Sequence, residues 1–159
     1  MKALRKIMDK ILSYSLSILF VVMTGLVLWQ VFTRYILGDP SIFTEELVRI
    51  ILLWTSFVGA AYAFGKREHM ALVFLKNGAK GSLHVFIAVA IDVIIIIFTA
   101  VILVYGGYIA TKNVIDIKTP ILDISKGWMY SPFFVAGIIT LIYQVMNIVE
   151  DFKINKTAE

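Results

Sequence analysis

Four charged residues gather where two long apolar runs meet: Arg34, Glu45, Glu46 and Arg49. On a helix, Glu45 and Arg49 have i, i+4 spacing and Glu46 and Arg49 have i, i+3 spacing, so opposite charges face one another. Charges at a low-dielectric boundary are costly unless paired, so this group needs a partner. Two compatible readings follow: a clamp that fixes a helical hairpin, or a polar docking surface for another protein. Asp92 is the other acid of interest. Inside a bilayer it would be a functional group by default; at the head of an apolar run it is an interface residue. Gln30, Gln144 and Asn147, with Tyr143, lie toward the ends of apolar runs, as interhelical hydrogen-bonding groups do.

The sequence holds no HExxH, P-loop, GxSxG or GxGxxG motif, so no enzymatic chemistry is expected. There is no cysteine, hence no thiolate metal site and no disulfide. His69 and His84 fall in one connection rather than deep in facing helices, so a haem ligand pair is not expected. No cofactor and no metal are called for.

The elements that position these residues follow from composition. Of 159 residues, 60% are apolar and 16% charged, against about 25% charged in soluble domains. With a mean hydropathy of +0.88, the solvent of this chain is lipid. The net charge of +4 does not point to nucleic acid, because the basic residues flank apolar runs. Four runs lack Asp, Glu, Lys and Arg: residues 11–33, 50–65, 93–111 and 127–149. A spanning helix needs about 20 mostly apolar residues. The second run reaches that length if its helix starts ahead of Arg49, where Asp39 can cap, Pro40 suits a first turn, and Glu45 and Glu46 favour the positive end of the helix dipole. The expectation is an all-α membrane protein, one integral domain over residues 1–159 with spans near 11–33, 43–65, 86–111 and 127–149. The first apolar core exceeds the about 7–15 residues of a cleaved signal, and no small-x-small site follows it.

Orientation follows from Lys and Arg near the span ends. Lys2, Arg5, Lys6, Lys10, Lys66, Arg67, Lys76, Lys80, Lys153 and Lys156 make ten on one side; Arg34, Lys112, Lys118 and Lys126 make four on the other. Both termini are therefore expected in the cytoplasm. Residues 66–84 contain Met70, Leu72, Val73, Phe74 and Leu75, too apolar for a plain loop. A short interfacial helix ended by Asn77 and Gly78, or an extension of the second helix, would account for them. Residues 112–126 are expected to be ordered, and extended before Pro120. Gly59 with Ala63 and Gly106 with Ala110 have the spacing of close helix contacts, Pro132 belongs to a first turn or marks a kink, and Trp54 is an interface anchor or a partner contact.

These motifs, in this order, resemble the small membrane subunit of tripartite ATP-independent periplasmic (TRAP) transporters, the DctQ type. The resemblance rests on WQVFTRYILG ending the first run, TEELVRIILLWTSFVGAAYAFGKREHM through the second and TPILDISKGWMYSPFFVAG entering the fourth. In that pattern an aromatic-Arg-Tyr helix end precedes a Glu pair, an Arg, a Trp, a Gly and a His, here Arg34, Tyr35, Glu45, Glu46, Arg49, Trp54, Gly59 and His69. The chain departs from it at Phe43 and Thr44, where a Trp often stands, and in the polar DISKGW.

The resemblance implies a multi-pass protein of the bacterial inner membrane, bound to a large subunit that holds the substrate and sodium sites. A periplasmic protein would deliver an organic acid, and an ion gradient, usually sodium, would drive uptake. The small subunit would act as scaffold and part of the docking surface. Arg34, Glu45, Glu46 and Arg49 would then fix the hairpin and contribute to docking, while Trp54, Gly59 and Gly106 would pack against the large subunit or neighbouring helices. Membrane lipids complete the expected partners. The alternative from another class is a self-sufficient oligomeric multidrug or ion transporter using Asp92.

Overall fold

The computed structural model describes the backbone of residues 2–66 and 82–157, and the side chains of residues 3–66 and 90–149. Helix α1 runs over Lys2–Phe32 and continues as a wider π-helical turn, Thr33–Leu37. Gly38 stops it at a φ of 69°, a left-handed conformation that costs glycine little, and its N–H closes back on the Thr33 carbonyl. The N–H of Asp39 reaches the same carbonyl at 3.2 Å. Helix α2, Ile42–Gly65, begins three residues later. The turn is tied down by the buried Thr33 hydroxyl, which accepts the Ser41 N–H at 3.3 Å, and by Thr44, whose hydroxyl donates to the Ser41 carbonyl at 2.6 Å.

Helix α3, Ser82–Phe98, passes through a π-helical stretch, Thr99–Gly106, into α4, Gly107–Asn113. A connection over residues 114–126 leads to α5, Gly127–Thr157. Among the described residues, four helical stretches are long and apolar enough to cross a membrane: Ala3–Leu37, Ile42–Gly65, Ala90–Asn113 and Gly127–Val149. The shortest, at 23 residues, is about 35 Å long at 1.5 Å per residue, which exceeds a hydrocarbon core of about 30 Å. Among the described residues there is no strand, only an isolated bridge between Lys118 and Ser125. The all-α, four-span architecture is the one composition demands. The expected short interfacial helix falls on residues that are largely outside the described ones.

Helix α5 is the axis of the bundle. It packs against α2, against α4 and against the π stretch before it, while α1 leans mainly on α2. In the apolar stretch of α5, 44% of residues are buried; in that of α1, 6% are. Leu12, Val58 and Tyr143 form the buried centre where α1, α2 and α5 meet, flanked by Met8, Leu16, Trp54, Tyr62 and Ile139. Close approach depends on three glycines. A Cβ on Gly65 would lie 2.7 Å from the Tyr143 ring; on Gly107, 2.9 Å from the Phe134 nitrogen; on Gly137, 2.9 Å from Leu103 and Val104 side-chain atoms. The glycines singled out by spacing sit in looser places. A Cβ on Gly59 would meet Leu16 at an ordinary 3.7 Å, and one on Gly106 would have only the Val101 carbonyl at 3.5 Å.

Candidate functional site

The polar chemistry lies at the two ends of the bundle. At the hairpin end, the start of α2, the 114–126 connection and the start of α5 enclose a cleft of about 520 Å³. Glu45, Glu46 and Arg49 line it from α2, Thr119 and Lys126 from the connection, and Tyr130 from α5.

The connection is an ordered narrow loop, as its mixed composition suggested. Thr119 N–H donates to the Ile124 carbonyl at 2.8 Å, and Lys126 N–H to the Ile117 carbonyl at 2.7 Å. The buried Thr119 hydroxyl accepts the Ile124 N–H at 3.2 Å. Asp123 takes a φ of 52°, which Asp tolerates better than most residues, and its carboxylate pairs with Lys118 at 2.6 Å.

Two hydrogen bonds dock this loop and the head of α5 onto α2. Leu122 N–H donates to Glu46 Oε2 at 2.7 Å, and Glu46 is buried. Trp54 Nε1–H donates to the Trp128 carbonyl at 3.0 Å, with the two indoles 6.3 Å apart. Pro132 explains why that carbonyl is available. It stands four residues beyond Trp128 inside α5 and has no N–H to return to it. The Ser131 hydroxyl takes up the same oxygen at 3.2 Å.

The Glu pair therefore divides. Adjacent helical residues point about 100° apart, so Glu46 turns inward to the loop while Glu45 stays outside. Glu45 meets Arg49 at 3.6 Å, with the two side chains 55% and 61% exposed, and such a pair contributes no more than about 0.5 kcal/mol. Arg34 is exposed on the π-helical turn, and no ion pair among the described residues joins it to the other three. Trp54 bonds within the chain, Gly59 faces Leu16 of α1, and Gln30 is half-buried. Asp92 Oδ1 accepts from Gln144 Nε2 at 2.8 Å, which links α3 to α5.

The terminal end holds a network that spacing did not single out. Asp9 of α1 accepts from the Tyr143 hydroxyl of α5 at 2.7 Å and pairs with Lys66, just past α2, at 3.0 Å. The carboxylate's hydrogen bond and charge raise the pKa of the Lys66 ammonium above its usual value. Arg5 donates to the Gly65 carbonyl. The signal was present but faint: Asp9 is the one acid among the basic residues that open the chain. Among the described residues, no three His, Cys, Asp or Glu side chains converge as they would around a metal ion.

Comparison with known proteins gives this arrangement a context. The family model described as "Tripartite ATP-independent periplasmic transporters, DctQ component" matches residues 23–154. The chain is 26% identical to the sialic acid TRAP transporter small permease protein SiaQ of Vibrio cholerae, over 97% of this chain and 88% of that protein. It is 24% identical to a putative TRAP transporter small permease protein of Haemophilus influenzae, over 87% and 86%. It is also 23% identical to the sialic acid TRAP transporter permease protein SiaT of Haemophilus influenzae; there 96% of this chain covers only 24% of the relative.

Proposed function

The chain belongs to the DctQ component family of tripartite ATP-independent periplasmic transporters, and we propose that it is the scaffold of a secondary transporter for an organic acid. It is a multi-pass protein of the bacterial inner membrane, and the subunit is the small permease. In this reading it binds a large permease subunit through the apolar helix faces that its own fold leaves open, chiefly on α1 and along α3 and α4. A periplasmic binding protein delivers the substrate to the pair, and an ion gradient, sodium first among candidates, drives uptake. A sialic acid is the substrate to test first, because SiaQ is named for it.

One observation carries the reading. Nearly the whole chain aligns with about a quarter of a longer TRAP permease. A sequence of this kind thus also occurs joined to a much larger one, as expected if the two work side by side. Orientation adds the docking surface. With ten Lys and Arg against four, both termini lie in the cytoplasm, which turns the hairpin end and its cleft toward the periplasm. Glu45 and Arg49, held at the mouth of that cleft, are then the groups that meet the binding protein. The competing reading, a self-sufficient transporter, depends on Asp92 alone, and Gln144 holds that carboxylate in a helix-to-helix bond.

The test is reconstitution. Liposomes receive this chain, its large permease subunit, or both, with the binding protein, N-acetylneuraminate and a sodium gradient. Uptake is expected only where both membrane subunits are present. Transport by this chain alone, or full-rate transport by the large subunit without it, overturns the scaffold role.

A further inference from the structure

The terminal end carries a second cleft that the transport reading leaves without a role. It measures about 460 Å³ and is lined by Arg5, Lys6, Asp9, Lys10 and Lys66. Four cations thus surround one carboxylate. That carboxylate is engaged through both oxygens, Oδ1 by the Tyr143 hydroxyl and Oδ2 by Lys66. The Gly65 carbonyl holds the Arg5 guanidinium in place. Lys10 folds toward the Tyr14 ring, 5.9 Å from its centre, and Lys66 toward the Tyr62 ring at 5.6 Å. The result is a concave surface of net positive charge between the start of α1 and the end of α2.

Depth and neighbours identify what it would hold. Ala3–Leu37 has 35 residues, about 52 Å of helix against a hydrocarbon core of about 30 Å. The charge-free run of α1 begins at Ile11, so the basic turns before it stand at headgroup level. One face carries Ile7, Ile11, Tyr14 and Ile18 at i, i+4, i+7 and i+11, a stripe that starts among the basic turns and continues below them, each residue 56–62% exposed. From Ile11, where the hydrocarbon begins, to Ile18 the stripe runs about 10 Å, within the about 15 Å hydrocarbon depth of one leaflet. A free anion would need the cations but not the stripe.

We propose that this cleft binds an anionic phospholipid, with its phosphate held by Arg5, Lys6, Lys10 and Lys66 and an acyl chain along Ile7, Ile11, Tyr14 and Ile18. The headgroup would bridge the start of α1 and the end of α2 at the point where Asp9 ties them to α5, while its acyl chain would lie on the exposed side of α1. Basic pockets between membrane helices on the cytoplasmic side are a known setting for such headgroups.

Native mass spectrometry and thermal unfolding of the delipidated protein in detergent test this without reference to transport or orientation. The probes are dioleoylphosphatidylglycerol, dioleoylphosphatidylcholine, the short-chain dihexanoylphosphatidylglycerol and inorganic phosphate. Saturable binding of the long-chain anionic lipid is expected, about tenfold or more tighter than the zwitterionic one, with a rise in unfolding temperature. Lys6 and Lys10 are exposed, so Lys6→Gln/Lys10→Gln should fold normally and weaken that binding about tenfold or more. Lys112→Gln, at the far end of the bundle, should leave it unchanged. Equal affinity for the two long-chain lipids, or no loss in the double variant, overturns the proposal. So does inorganic phosphate or the short-chain lipid binding as tightly as the long-chain one, because the ligand would then be a free anion or a lone headgroup.

Discussion

The two ends of this bundle use their charges in opposite ways. At the terminal end one carboxylate, Asp9, joins α1 to α5 through Tyr143 and to the end of α2 through Lys66. Its partners come from 57 and 134 positions away in sequence, so the bonds hold the tertiary structure. At the hairpin end one carboxylate, Glu46, holds a loop to α2, and the loop is otherwise closed by bonds of its own backbone and side chains. Three further charges there, Glu45, Arg49 and Lys126, line an open cleft. Exposure marks the difference: Asp9 is 19% exposed in its pair and Glu45 55% in its own. Losing one partner of an ion pair near a dry interior is costly, whereas losing one in water costs little.

The largest break in that contrast should come from Gly65. Its ideal Cβ position falls 2.7–2.8 Å from three ring atoms of Tyr143, and Tyr143 is fully buried at the crossing of three helices. Gly65→Ala should cost about 1–3 kcal/mol by overpacking and pull the tyrosine hydroxyl off Asp9. Thermal unfolding of the purified protein would register this as a clear drop. Gly59→Ala, with its nearest neighbour at 3.7 Å, should stay near the parent. If the two variants unfold together, the terminal end is not the brace described.

An effect of similar size but more local is expected at the other end. Glu46→Ala removes the acceptor for the Leu122 N–H in a buried setting, which should cost about 1–3 kcal/mol. Because Glu46 holds a loop rather than the bundle, the loss should appear as faster hydrogen exchange at Leu122 and its neighbours. Tyr143 and its surroundings should be untouched. Exchange spreading through α5 would mean that the hairpin end also carries the fold.

The sequence made the fold legible because lipid leaves a chain little choice. Four charge-free runs of near-spanning length admit few structures other than four helices. The location of the Glu45–Arg49 pair was legible too, since i, i+4 spacing is a local property. Long-range placement was not. Nothing in the run of adjacent residues says that Glu46 turns in and Glu45 out, because that depends on which face of α2 meets the loop. The bonds of Asp9 to Tyr143 and of Trp54 to the Trp128 carbonyl span 134 and 74 positions. The first had a faint hint, a lone acid among basic residues, and the second a plainer one, a proline placed to free a carbonyl. Spacing also pointed to Gly59 and Gly106, while the tight approaches fell at Gly65, Gly107 and Gly137. Small residues permit contact; which of them are used is decided by the partner helix.

The finest effect concerns Glu45 and Arg49, where stability and function should separate. Both side chains are more than half exposed, so Glu45→Arg or Arg49→Glu should shift unfolding by no more than about 0.5 kcal/mol. If these groups meet a periplasmic binding protein, either reversal should nonetheless lower uptake by the reconstituted system, chiefly through slower association and most strongly at low salt. The double exchange, Glu45→Arg with Arg49→Glu, distinguishes two ways the pair could act. It restores an ion pair on the same helix face but inverts the charge at each position. Recovery of uptake would mean that the pair serves by ordering the start of α2, so that the hairpin end is a brace like the terminal end, only weaker. Continued loss, with the two membrane subunits still associated, would mean that the partner reads the sign of each charge. Uptake unchanged in all three variants would remove the pair from the docking surface, and the cleft would then have to recruit its partner through Lys126 and the loop.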